Sequence, residues 1–308
     1  MTKMITSTST AGSFAAQEAR SEGPGVPTSP PQRRSKAVLR ATIISLILLP
    51  ICIVWIYPFI WMISTSLKTN AEAFSGLGLV PETLQLGNYI RVWSEANIAR
   101  YFVNTVLITA GSIVISVVST AMIGYVLGRY RFPGRYVVVA LLAFAVFLPE
   151  GYTIIPIFDL IHALGLADSL WGITLAEAGG AHVIAILLFA GFFSQLPKEL
   201  EEAAVIDGAG FLRVFWKVYL PLAKPVTATA VVLQFMHSWN DFLLPLVLTL
   251  NQPELRTLAV GIYHFQGEYF TDWVGMAAAS TISLMPIIIA FLFLQRYFVE
   301  GVAGAVKQ

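Results

Sequence analysis

Apolar residues in this chain are not spaced for one face of a helix or one face of a strand; beyond residue 40 they fill long, nearly uninterrupted blocks. Four blocks hold no charged residue: Ala41–Leu67, Tyr101–Gly128, Ala178–Pro197 and Trp273–Gln295. About 20 apolar residues carry a helix across the hydrocarbon of a bilayer, so each block is long enough to span it. Two more blocks carry one acid apiece, Tyr136–Phe158 with Glu150 and Val226–Leu250 with Asp241, and both stay apolar enough to cross. Backbone polar groups in lipid must be satisfied within their own segment, which selects helices. The pattern predicts an all-α integral membrane protein with six transmembrane helices, at about 41–67, 101–128, 136–158, 174–195, 226–250 and 273–295.

The polar stretches between the blocks set the orientation, because cytoplasmic loops collect Lys and Arg. With the first residues inside, the inner segments hold 15 of the 19 basic residues, and only Lys68, Arg91, Arg100 and Arg256 fall outside. Both termini are therefore expected in the cytoplasm. Residues 1–36 are rich in Ser, Thr, Ala, Gly and Pro and lack the apolar area to fold, which predicts a disordered tail before a membrane domain at 37–308. The outer segment Lys68–Ala99, with Tyr89 and Trp93, is expected to form a small cap at the interface.

Composition narrows the classes further. With 56% hydrophobic and 12% charged residues and a mean hydropathy of +0.73, the chain is too apolar for a soluble domain. A net charge of +1 with scattered basic residues argues against nucleic acid as a partner and leaves the lipid bilayer as the surroundings. The single cysteine, Cys52, excludes an internal disulfide and reads as a small core residue.

The inner connection Leu196–Pro225 is too long for a simple connector. Pro197 can open a helix whose first turn carries Glu199, Glu201 and Glu202, where the helix dipole favours acids. Ala203, Ala204, Gly208 and Ala209 form a run of small residues that lets another backbone come close. A second helix is expected from Phe211, with Phe211, Val214, Phe215, Val218 and Tyr219 on one face and Arg213 and Lys217 on another. Pro221 and Pro225 lead out of it. By pattern alone this element is either a docking device or a passive surface helix.

Here the residues resemble a known family. Glu202-Ala203-Ala204, then Asp207-Gly208-Ala209, Phe215, Leu220-Pro221 and Pro225 resemble the EAA loop of binding-protein-dependent ABC importer permeases. The resemblance continues through Ser66-Leu67-Lys68, Asn104-Thr105, Trp239-Asn240-Asp241-Phe242, Leu258-Ala259-Val260-Gly261 and the terminal Gln295–Lys307 stretch, which is similar to the smaller permease of maltose-type sugar importers. It departs where relatives often carry Pro-Phe in span four and this chain has Ala181-His182.

The resemblance implies a type I importer permease fold in a bacterial or archaeal cytoplasmic membrane. It implies pairing with a second, related permease, docking on two cytoplasmic ATPase subunits that hold ATP and magnesium, and delivery by an extracytoplasmic sugar-binding protein. Glu202, Ala203, Ala204, Asp207, Gly208 and Ala209 would be the ATPase-coupling residues, and Gly301, Gly304 and Lys307 a secondary contact.

No catalytic chemistry is visible. There is no Gly-x-x-x-x-Gly-Lys-Ser/Thr loop, so ATP hydrolysis falls to partners and the chain is expected to hold no cofactor. His162, His182, His237 and His264 show no paired spacing, so no metal site is expected. Acids within spans must face protein or water. Glu150 and Asp241 both fall roughly 20 Å from the inner ends, which makes them, with Trp239 and Asn240, candidates for lining the solute pathway; the plainer alternative is helix packing. Pro149-Glu150-Gly151 is expected to break span three. A self-contained secondary transporter of a small polar solute is the rival reading, and it would leave the Leu196–Pro225 loop without a task.

Overall fold

In the computed structural model the backbone is described for residues 31–76, 78–148, 150–179, 182–267 and 270–305, and side chains for the same residues except 31–39, 41, 150 and 294–305. Most of the expected tail lies outside these residues. Helix α1, Pro31–Ser66, already takes in residues 31–36 and passes Pro50 and Pro58 without ending. The chain divides at Pro58 into two units, the first being the amino-terminal part of α1. Within that part Leu46, Val54 and Trp55 are exposed along with their apolar neighbours on every side of the helix, a distribution suited to hydrocarbon and not to water.

From Phe59 onward a second unit carries the rest. After the end of α1 come α2, Asn70–Ala73, and α3, Gly87–Ser94, two short helices within the segment expected to form a cap. Asn88 Nδ2 donates to the carbonyls of Ser66 and Lys68, each at 3.0 Å, so the Ser66-Leu67-Lys68 corner is closed by α3. Arg91 of α3 reaches Asp272 at 2.6 Å.

Helix α4, Ile98–Arg129, is the axis of the unit. It packs against α7, Leu170–Gly179, α8, Val183–Gln195, and α12, Lys224–Asn240. Two glycines make the α4–α8 crossing close. A Cβ at Gly124 would collide with Phe189 Cβ, and one at Gly128 would lie 2.7 Å from the carbonyl oxygen of Ala190. Small residues at such a crossing let backbones approach where lipid offers no hydrophobic drive. Near the start of α4, Asn104 Nδ2 donates to the carbonyls of Glu254 and Arg256, and the Leu258 N–H donates to Thr105 Oγ1 at 2.7 Å. The two motif stretches around Asn104 and Leu258 thus meet in space.

Three of the six expected spans are single long helices: the Thr42–Ser66 part of α1, α4, and the Trp273–Phe293 part of α15, Trp273–Ala305. The other three expected stretches hold no single helix of that length among the described residues. Where span three is expected stand two shorter apolar helices, α5, Arg135–Ala145, and α6, Ile154–Ala163, with a 3-10 turn at Glu150–Thr153 between them, at the break expected around Pro149–Gly151. Span four begins at Leu170 instead of 174 and is the pair α7 and α8, meeting at 55°. Span five does not run unbroken over 226–250. Helix α12 stops at Asn240, Asp241 takes extended angles, and α13, Leu243–Leu248, starts anew. The Leu243 N–H donates to Asp241 Oδ1 at 3.2 Å, so Asp241, one residue before the N-cap Phe242, takes up the first backbone donor of the new helix, while Pro245 in its first turn needs no donor partner. A 3-10 turn, Pro253–Leu255, and α14, Leu258–Tyr263, lie between α13 and α15. Among the described residues there is no β-strand, only an isolated bridge between Gln266 and Thr271.

Candidate functional site

The Leu196–Pro225 segment folds as two short helices around a glycine. Helix α9, Glu199–Ile206, ends where the Gly208 N–H donates to Val205 O and the Ala209 N–H to Ala204 O, each at 2.9 Å. This pairing satisfies the last carbonyls and requires a left-handed residue. Gly208 supplies it at φ 78°, where a side chain would be strained. Helix α10, Phe211–Val214, then runs through a π turn, Phe215–Tyr219, into α11, Leu220–Leu222. The α10–α11 rod lies at 84° to α12, as expected for an element lying along the membrane surface at the foot of a span.

Its inner face is anchored. Val214, Phe215 and Tyr219 are buried with Tyr125, Phe189 and Phe193 in one aromatic core. Glu201 is the polar bolt. Arg129 donates to Glu201 Oε2 from Nε and Nη2 at 3.2 Å each, and from Nη1 to the Leu196 carbonyl at 2.8 Å. Tyr130 donates its hydroxyl to Glu201 Oε1 at 2.7 Å and Tyr219 to Oε2 at 3.1 Å. The Arg129 guanidinium also sits 5.1 Å from the centre of the Tyr219 ring. Burial, then the Glu201 charge, push the Tyr219 hydroxyl well above its ordinary value of 10.0. Tyr130 is raised too, by burial first and by Glu201. Both phenols therefore stay protonated and keep donating.

The outer face is different. Glu202, Ala203, Asp207 and Gly208 are exposed, whereas Ala204 and Ala209 are half-buried against the aromatic core. Val205, Ile206, Leu212 and Trp216 are exposed around them. The six residues singled out in the sequence thus split into four that look outward and two that seat the loop. Glu201 was the residue sequence reasoning missed, because its partners lie 18 to 72 positions away.

A second site lies between the broken spans. A cleft of about 490 Å³ is lined by Tyr152, Thr153, Ile157, Gly179, His237 and Asp241 among others. Behind it Glu177 is fully buried, with Oε2 3.7 Å from His237 Nε2. Gln234 Nε2 donates to Ser112 Oγ at 3.2 Å and to the Glu177 carbonyl at 3.3 Å, and His182 Nε2 lies 3.2 Å from the same carbonyl. Of the three pathway candidates whose side chains are described, only Asp241 is on this cleft. Trp239 is buried in the core, stacked on Phe235 and donating Nε1 to Ser283 O at 3.2 Å. Asn240 is exposed and bonds Met236 O in its own helix. Glu150 begins the 3-10 turn, with its side chain outside the described residues. Gly301 and Gly304 continue α15 with side-chain surroundings outside the described residues, as Lys307 is altogether. Glu177 was missed because it sits one residue before a charge-free block, and His237 because the search was for paired histidines and not for the His237/Asp241 pair four apart.

Residues 120–304 match the model of the binding-protein-dependent transport system inner membrane component family. This stretch includes both the glycine-hinged loop and the broken spans. The chain belongs to that family. It is 34% identical to the probable ABC transporter permease protein YurM of Bacillus subtilis over 82% of this chain and 83% of the relative. It is 33% identical to the diacetylchitobiose uptake system permease protein NgcG of Streptomyces coelicolor over 83% and 84% of the two chains. Its fold matches a chain in the crystal structure of a bacterial ABC transporter involved in the import of the acidic polysaccharide alginate, with a TM-score of 0.71 and 26% identity, covering 89% of this chain and all of that one. The chain is therefore a multi-pass permease subunit of an ABC importer, a transport component and not an enzyme, and membership implies ATPase and binding-protein partners.

Proposed function

We propose that this permease imports a carbohydrate across a bacterial or archaeal cytoplasmic membrane, with both termini in the cytoplasm. It forms half of the pathway beside a second, related permease and rests on two ATPase subunits, which bind the ATP and magnesium. An extracytoplasmic binding protein delivers the solute. The carbohydrate reading is supported by the likeness to the diacetylchitobiose permease and to the alginate importer, and the orientation by the 15 of 19 basic residues that fall on the inner segments.

One observation carries the coupling role: α9–α11 is held to the foot of α4 by Arg129 and Glu201 while Glu202, Ala203, Asp207 and Gly208 stay exposed. A loop that is rigidly seated on one side and bare on the other can pass a movement of a bound ATPase into the spans. Glu202 and Asp207 then meet polar or basic groups of that partner, and Gly208 gives the bend that presents them. The 301–307 region is a secondary contact in the same reading.

Affinity purification of the tagged chain in mild detergent tests it. Recovery of an ATPase and a second permease is the expected result. A chain that purifies alone and drives uptake into liposomes without ATP would instead be a secondary transporter.

A further inference from the structure

The polar cluster behind the cleft is not accounted for by helix packing or by the coupling loop. Donor atoms of Glu177, His237 and Asp241 lie within 4.8 Å of one another, at the end of α7 and at the α12–α13 break. Glu177 is fully buried, and His237 and Asp241 are half-buried on the cleft wall. Two carboxylates this close within a membrane-spanning region are costly as bare charges, and a protonated His237 offsets only one of them. A divalent cation offsets both and leaves His237 neutral, the form in which imidazole binds metal.

We propose that Glu177, His237 and Asp241 form a binding site for a divalent transition-metal cation of the zinc type. One imidazole nitrogen with two carboxylate oxygens suits a borderline cation better than calcium or magnesium, which prefer all-oxygen shells. Zinc holds such ligands at about 2.0–2.2 Å, so neighbouring donors of a tetrahedral ion lie ~3.4 Å apart. The His237–Glu177 separation of 3.7 Å is near that value, and Asp241, whose donor atom lies within 4.8 Å of the other two, reaches the ion by side-chain rotation at the helix break. The fourth position opens on the cleft, to water. Gln234 and His182 fix the backbone carbonyl of Glu177 from two sides, which orients the α7 end that presents its carboxylate. A bound ion would tie α7 to the last turn of α12, two elements that belong to different broken spans. This site is independent of which solute is carried.

The test uses the full chain, purified in detergent through a tag free of histidine and dialysed against buffered micromolar free zinc. Elemental analysis is expected to return one zinc per chain, and cobalt in its place to give the visible absorption of a four-coordinate ion. His237→Asn, Asp241→Asn and Glu177→Gln should each weaken binding by at least the roughly 10-fold that even an outer-shell change costs, while His264→Asn, outside the cluster, should leave it unchanged. Zinc well below one per chain in the unaltered protein, or full binding in the triple variant, would overturn the proposal.

Discussion

Arg129, the last residue of α4, holds Glu201 of α9 through two hydrogen bonds of 3.2 Å to a single carboxylate oxygen. The Arg129 side chain is 6% exposed and that of Glu201 23%, so neither charge is well solvated once its partner is removed. Breaking such a pair costs on the order of 3 kcal/mol. Arg129→Ala is expected to leave insertion intact and to loosen α9, seen as faster amide exchange over 199–206 and a loss of uptake. Glu201→Gln, which keeps the side chain's length and one acceptor oxygen while replacing the other by an NH2 donor, should lose less. Equal exchange in both variants and in the unaltered chain would contradict the bracing role.

Packing of α4 on α8 gives a second expectation. Gly124→Ala puts a Cβ into Phe189, and Gly128→Ala puts one 2.7 Å from the Ala190 carbonyl, a backbone atom that cannot swing away. Overpacking of this kind costs about 1–3 kcal/mol. Thermal unfolding in detergent should shift down for both, whereas Gly134→Ala, with nothing within 4 Å of its Cβ, should suffer only from its φ of 84°.

Asp272 ties α3 to the start of α15. Burial pushes its carboxyl up, but the hydrogen bond from Arg91, the Gly275 N–H, the Arg91 charge and Asn70 together hold it below its ordinary value of 3.8. A depressed folded value means the contribution is fully present above the ordinary carboxylate range and is lost as pH falls through the lower folded value. Asp272→Asn should therefore be less stable than the unaltered chain near neutral pH, and the gap between them should close as the medium is acidified below pH 3.8. A gap that widens on acidification would contradict this.

Asp241 has two separable roles. Its carboxylate oxygen accepts the Leu243 N–H at the start of α13, a bond that the side-chain oxygen of Asn can also accept and Ala cannot. If its carboxylate meets the solute on the cleft, Asp241→Asn raises the KM for uptake without changing thermal stability. Unaltered uptake kinetics in a stable Asp241→Asn chain would exclude contact between this side chain and the solute.

Much of the architecture was legible because lipid leaves few choices. Apolar blocks longer than a bilayer had to be helices, and the Gly208 bend followed from small residues between two amphipathic stretches. What escaped were features made by distant partners or by local cap chemistry. Glu201 looks like any acid of a helix first turn until Arg129 and Tyr219 are brought to it. The break after Asn240 was hidden by an apolar composition that continues through Leu250, although Asp241 followed by Pro245 is a helix start. Trp239, singled out as a face for a sugar, turns inward because Ser283 offers its carbonyl to the indole N–H. Glu177 and His237 stand sixty positions apart and declare nothing singly.

Gly208→Trp bears most directly on the central claim that the glycine-hinged loop couples ATP hydrolysis to transport. Gly208 is exposed, no atom lies within 4 Å of where its Cβ would be, and its φ of 78° opposes any side chain. ATP-driven uptake by the reconstituted complex should be abolished while the variant remains inserted and well expressed. Undiminished uptake by that variant would contradict the account.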